Sequence, residues 1–162
     1  MQNNADISEV ATTLNKGLKE LRTLSRAINP EALKNITLTE AITQELERLN
    51  RLQYIEASLN IKGEEKGMKH DVEIVFFRIL QEFFSNTIKH AKATKLKVLI
   101  HFKDKNIDIY AEDNGKGFNK DNPESIGIGL TNIKKRAQLI HANATISSVI
   151  NEGTKLHITY SY

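Results

Sequence analysis

The stretch from Val72 to His90 constrains the fold of this chain more than any other. Phe76, Phe77, Leu80, Phe83, Phe84 and Ile88 recur at helical spacing and fill one wide arc. On the opposite side Arg78, Glu82, Asn86 and His90 follow at four-residue intervals, with Gln81, Ser85 and Lys89 beside them. Side chains four apart stack on one helical face, so the spacing predicts a single helix with a continuous polar stripe. On a lone helix such a stripe is a solvated face. What it means depends on the segments brought against it.

Those segments read as strands and short helices. Thr37 and Glu40 form a capping-box pattern that opens a helix whose apolar face is Leu38, Ala41, Ile42, Leu46 and Leu49. Tyr54 to Ile61 alternates, with Ile55, Ala57, Leu59 and Ile61 on one side, as a half-buried strand does. Lys62 to Gly67 is a charged turn. Beyond the central helix, Leu96, Val98, Ile100 and Phe102 alternate in one strand and Ile107, Ile109 and Ala111 in the next. The polar residues Lys103 to Asn106 join these two as a hairpin. A helix over Ile128 to Ile140 precedes two more strands, Ala144 to Ile150 and Lys155 to Tyr160, linked by Asn151-Glu152-Gly153. Strands with helices that can cover one face imply an α/β chain folded as a two-layer α/β sandwich.

The front of the chain differs. Between Asp6 and Asn29, Ile7, Leu14, Leu21 and Ile28 fall every seven residues, and Val10 and Leu24 mark a second seam. Heptads of this kind predict a helix that needs partner helices, or that packs on the body of its own domain. Asn29-Pro30 stops it.

Composition excludes several classes of function. With 40% hydrophobic and 27% charged residues in 162, the chain can bury a core of its own. A net charge of +3, its lysines scattered among acids, argues against a dedicated nucleic-acid binder. The absence of cysteine excludes disulfides and thiolate metal sites and fits a cytoplasmic setting. No apolar run reaches the ~18 residues that span a membrane, and no signal peptide, repeat or low-complexity stretch is visible.

Two glycine turns carry chemistry. Asp113-Asn114-Gly115-Lys116-Gly117-Phe118 ends the second hairpin strand, and its Asn-Gly pair alone would be a plain β-turn. Gly127-Ile128-Gly129-Leu130 directly precedes a helix, where glycine lets backbone N–H groups approach phosphate. The Walker and Rossmann patterns both fail, since neither Gly-Lys-Ser/Thr nor a third glycine follows. An EF-hand is excluded as well: Asp104, Asn106 and Asp108 have the spacing, but Ile109 stands where glycine is required.

Taken together, Glu82-x-x-x-Asn86-x-x-Lys89-His90, Asp113-x-Gly115-x-Gly117-Phe118, Gly127-x-Gly129-Leu130 and Gly153-Thr154 resemble the ordered motifs of the GHKL ATPases. Within them the chain is most similar to the ATP-binding domain of sensor histidine kinases, in particular the nitrate-sensor and lipid-desaturase-regulator subfamily. The runs Phe77-Arg78-Ile79-Leu80-Gln81-Glu82 and Gly127 to Ala137 carry that likeness. The resemblance implies a Bergerat ATP-binding fold over residues 30–162, preceded at 1–29 by part of a dimerisation helix, in a fragment of a longer, homodimeric kinase.

It also implies roles. Asp113 would accept a hydrogen bond from the adenine amino group, with Gly115 and Gly117 letting the backbone lie against the ring and Thr154 supporting the contact. Asn86 would ligate Mg²⁺. Lys89 and His90 would offset phosphate charge, and Gly127, Gly129 and Leu130 would line the phosphates at the helix start. Glu82 would act as the catalytic carboxylate or order the site near the acceptor, and Asn119 to Ile126 would form a lid.

The implied partners are ATP, a dimerisation domain carrying the acceptor histidine, and a response regulator, with no nucleic acid and no membrane contact by this segment. The chain would lie in the cytoplasm, although the parent kinase could be anchored to a membrane. Of the histidines at 70, 90, 101, 141 and 157, only His70 precedes an acid. It lies between a turn and the central helix, not on a dimerisation helix, so the acceptor is expected elsewhere. His141-Ala142-Asn143 replaces a glycine pair common in the family, with Asn143 expected to take the left-handed turn geometry. A serine-directed anti-sigma kinase, a gyrase- or Hsp90-type clamp ATPase and a non-catalytic regulatory fragment are alternative readings of the same motifs.

Overall fold

The computed structural model describes residues 36–119 and 127–162. The heptad segment Asp6 to Asn29 and most of the expected lid lie outside them. Helix α1 (Leu38–Arg51) opens on the capping box, in which the Glu40 N–H donates to Thr37 Oγ1 at 3.3 Å and the Thr37 N–H to Glu40 Oε2 at 2.8 Å. It closes on Gln53 at φ 54°, with Gln53 N–H bonded to Asn50 O and Tyr54 N–H to Leu49 O. This is the paired arrangement of a Schellman ending. Its five expected apolar residues are all buried.

Strand β1 (Glu56–Lys62) runs parallel to β2 (Lys95–Phe102), which pairs antiparallel with β3 (Asn106–Asp113). Strands β4 (Asn143–Val149) and β5 (Gly153–Ser161) complete a five-stranded sheet in the order β1-β2-β3-β5-β4. Burial of β1 fades along its length, from Ala57 at 9% exposed to Ile61 at 46%. At its free edge the Asn50 side chain brackets Ala57, donating to its carbonyl at 2.9 Å and accepting from its N–H at 2.8 Å.

Helix α2 (His70–Asn86) is the central element and begins two residues before the expected start at Val72. Phe76, Phe83 and Phe84 are each at most 2% exposed, which stabilises the fold by about 1.5–3 kcal/mol per side chain. Phe76 meets Tyr160 of β5 edge to face, with ring centroids 5.6 Å apart, and Leu96, Ile100, Ile107, Ile109, Leu156 and Ile158 are buried in the sheet. Helix α3 (Ile128–Leu139) buries Ile133 and Ala137 in the same layer, and Arg136 Nη1 donates to the Arg78 carbonyl of α2 at 3.0 Å.

Two expectations are corrected. The central helix is not one α-helix to His90: it ends at Asn86 and continues as a π-helical turn, Thr87–Ala91, closed by Lys92 at φ 53°. Such a turn bonds i to i+5 and holds more residues per turn, so residues beyond Asn86 leave the four-residue rhythm. Ile88 is half-buried instead of central to the core, and Lys89 and His90 stand exposed. The left-handed residue after α3 is His141 at φ 56°, not Asn143, which starts β4. The reason is the helix ending. His141 N–H bonds Gln138 O and Ala142 N–H bonds Ala137 O, which puts the left-handed position immediately after the cap.

The other face of the sheet carries one buried charge. Asp108, 4% exposed, accepts from Lys103 Nζ at 2.6 Å, Thr159 Oγ1 at 2.7 Å and Asn106 Nδ2 at 3.0 Å, with His157 Nε2 at 2.9 Å. The His157 ring stacks on Tyr110 at 4.2 Å. Burial by itself pushes the Asp108 carboxyl up, but the hydrogen bonds from Lys103, Thr159 and His157 outweigh it and hold the group well below the usual carboxylate range. A depressed carboxylate contributes stability that is present above its unfolded pKa and lost as pH falls through the folded one. The contribution therefore persists at neutral pH and erodes only below about pH 4. Asp108→Asn is expected to cost roughly 1–3 kcal/mol at pH 7 and much less in strong acid, read from denaturant melts at both pH values. An equal loss at both would show that the charge contributes nothing.

Candidate functional site

Strand parity brings the site together. Ile107, Ile109, Ala111 and Asp113 share the face that meets the helices, so at the end of β3 a carboxylate takes the place of an apolar side chain. Asp113 is 6% exposed. Its Oδ1 accepts from the Gly115 N–H at 2.9 Å and the Thr154 N–H at 3.3 Å, and its Oδ2 from Thr87 Oγ1 at 3.0 Å. Register places Asp113 directly across from Thr154 on β5. A carboxylate has about four acceptor positions, so among the described residues one remains, on Oδ2.

The glycines of this turn are required by the protein's own backbone. A Cβ on Gly115 would strike Ala91 at the end of the π turn, and the next residue's N–H, that of Lys116, bonds Ala91 O at 2.8 Å. Gly117, at φ 58°, lies against the Val149 carbonyl, and Gly153, at φ 99°, against the Asp113 carbonyl. Packing alone thus accounts for three glycines of the motifs.

The polar side of α2 meets the start of α3 at Gly129. A Cβ there would run into Glu82 Oε1 and crowd Asn86 Nδ2, so these three motif positions adjoin. Glu82 and Asn86 are half-buried, and neither side chain has a hydrogen-bond partner among the described residues. Gly127 caps α3 with no side-chain cap and, among the described residues, nothing close to it, so none of these residues' side chains caps the first N–H groups of that helix. Leu130 is half-buried in the first turn. Lys89 and His90, on the π turn, flank Asn86 in sequence but lie exposed. His70 opens α2 and faces Glu73 at 3.8 Å. The surface depressions on the outer face of α3 (about 540 Å³, around Arg136 and Leu139) and between α1 and β1 (about 340 Å³) involve none of these residues.

Three residues of the cluster were missed by motif reading. Thr87, 2% exposed, pins Asp113. A signal existed, because Thr87 falls four residues after Phe83 and seven after Leu80, on the apolar arc, where a hydroxyl needs a partner. Ser148 Oγ accepts from the Phe118 N–H at 2.9 Å, donates to Gly153 O at 3.0 Å and lies 3.1 Å from Thr154 Oγ1. Asn114 Oδ1 accepts from the N–H groups of Thr94 and Lys95 at 2.9 and 2.8 Å, tying the turn to the start of β2. No sequence pattern announces Ser148.

The chain is similar to known proteins in sequence and in fold. Residues 71–162 match the family described as histidine kinase-, DNA gyrase B-, and HSP90-like ATPase. The sensor histidine kinase LiaS of Bacillus subtilis (strain 168) is 32% identical over 86% of this chain and 38% of its own length. The oxygen sensor histidine kinase NreB of Staphylococcus carnosus (strain TM300) is 27% identical over 85% of this chain and 40% of its own. The chain therefore spans about two fifths of these relatives. The blue-light activated histidine kinase of Erythrobacter litoralis EL346 superposes with a TM-score of 0.64 at 17% identity, over 87% of this chain and 49% of that one, a likeness of fold. With the motif order, the carboxylate at the end of β3 and this match in agreement, the chain is an ATP-binding domain that belongs to the histidine kinase-, DNA gyrase B- and HSP90-like ATPase family.

Proposed function

We propose that this chain is the catalytic domain of a two-component sensor histidine kinase, delivering the γ-phosphoryl of ATP to a histidine on a dimerisation domain that in turn serves a response regulator. The observation that carries the reading is the meeting of Glu82 and Asn86 with Gly129 at the start of α3, beside a β3 end where Asp113 keeps one free acceptor position. In this reading Asp113 takes the adenine amino group, with Thr154 alongside. The uncapped start of α3, with Gly127, Gly129 and Leu130, receives the phosphates. Lys89 and His90 offset their charge from the exposed π turn.

The residues present fit Mg²⁺, since Asn86 offers a hard neutral oxygen unclaimed by any described residue. The ion would supply charge neutralisation on the phosphates. Glu82 orders the approach of the acceptor. Catalysis of this type is mostly positioning and electrostatics, so binding stands independently of the acceptor. A cytoplasmic location belongs to the same proposal. No described helix is long and apolar enough to cross a membrane.

With radiolabelled ATP and Mg²⁺, the chain alone is expected to hold no acid-labile phosphate, and to label a supplied dimerisation domain carrying its His-Asp pair. Labelling of the isolated chain at His70 would overturn the assignment of an external acceptor. Failure to label any supplied domain, with ATP bound, would favour a non-catalytic role.

A further inference from the structure

We propose that Thr87 and Ser148, two hydroxyl residues to which the motifs assign no role, are specificity-determining positioning residues that fix the hydrogen-bond polarity around Asp113 and Thr154 so that only acceptors face the base. The inference rests on the reading of this cluster as the adenine site. Thr87 is the first residue of the π turn and is buried against the β3 end. Its single hydroxyl hydrogen goes to Asp113 Oδ2. The carboxylate is thereby clamped from both sides, by two backbone N–H groups on Oδ1 and by Thr87 on Oδ2. It cannot rotate without breaking one of them, and a single acceptor direction stays open.

Ser148 does the same for Thr154 by proton counting. Its one hydrogen is donated to the Gly153 carbonyl, and it already accepts from the Phe118 N–H. Across the 3.1 Å contact Thr154 must then be the donor. The Thr154 hydroxyl hydrogen is used up, and its oxygen is left as an acceptor. Two acceptors on residues paired across β3 and β5 suit an exocyclic amino group and oppose a carbonyl in the same place. The selectivity against 6-oxo purines thus resides in residues that need not touch the base.

The test compares ATP with inosine triphosphate, which differs at that position by a carbonyl, in Mg²⁺-dependent displacement of a fluorescent ATP analogue from the full chain. Thr87→Val and Ser148→Ala are each expected to narrow the ATP/ITP affinity ratio by about tenfold. Thr87→Ser, which keeps the hydroxyl, is expected to restore it. Should Thr87→Val fail to fold, Thr87→Ala removes the hydroxyl without crowding, and melting temperatures identify folded protein. Equal losses for both nucleotides, or an unchanged ratio, would make the hydroxyls merely structural and overturn the inference. Asp113→Asn separates this from the parent reading. A collapsed ratio there with wild-type ratios in the hydroxyl variants sinks only the role of Thr87 and Ser148. An unchanged ratio in Asp113→Asn sinks the adenine site itself.

Discussion

Asp113→Ala is expected to weaken ATP about a hundredfold and to leave GTP as weak as it is in the unaltered chain. The loss has two sources. The adenine amino group loses its acceptor, and the Thr87 hydroxyl and the Gly115 and Thr154 N–H groups are left facing a void. Each orphaned buried donor costs on the order of 1 kcal/mol or more, so a lower melting temperature accompanies the weaker binding. GTP gains nothing, because removing an acceptor does not create the donor that its carbonyl needs. Asp113→Asn behaves differently. Its amide oxygen can keep the Gly115 and Thr154 bonds, while its NH₂ replaces Oδ2 beside Thr87, whose oxygen can accept. That NH₂ opposes adenine and suits a 6-oxo purine, so ATP weakens and the preference over GTP narrows together. Displacement of a fluorescent ATP analogue measures all three proteins. An intact ATP preference in Asp113→Ala would remove this cluster as the base pocket.

The second large effect is expected at Asn86. Replacing it by alanine removes the proposed Mg²⁺ ligand and should lower affinity for Mg-ATP roughly a hundredfold, while metal-free ATP binds nearly as before. The substitution is clean, because the Asn86 side chain holds no described residue and alanine is the better helix former at the last position of α2. Melting temperature should therefore hold steady. Titrations with and without Mg²⁺ that fall by the same factor would make Asn86 a packing residue and exclude it as the ligand.

Local chemistry was legible in the sequence, and long-range chemistry was not. The capping box at Thr37 and the five apolar residues of α1 follow from spacing alone, because a helix face needs only its own residues to be recognised. The alternation in β2 and β3 likewise predicted which side chains are buried, and the same parity turns Asp113 toward the helices. The π turn escaped, since its residues are ordinary helix formers and what distinguishes it is contact with a distant turn through Ala91 and Lys116. The Asp108 cluster escaped for a similar reason. It exists only because the register of β3 on β5 sets Asp108 opposite Thr159, two residue pairs from the Tyr110–His157 stack. The motif glycines were read as room for a ligand. The structure shows a prior demand for three of them from Ala91, Val149 and Asp113, so their presence alone argues for the turn and not for what it binds.

The Asn50 bracket on Ala57 has a consequence for the chain's behaviour in company. A strand at the margin of a sheet offers a repeating ladder of donors and acceptors, and any extended segment that finds it can add itself on. The Asn50 amide presents one donor and one acceptor, as a peptide unit does, and occupies the Ala57 rung. An intruding strand finds the ladder interrupted at its first rung, with only the short stretch toward Ile61 left to grip. The helix that covers the core thus also guards the margin of β1 against accretion, with a single side chain.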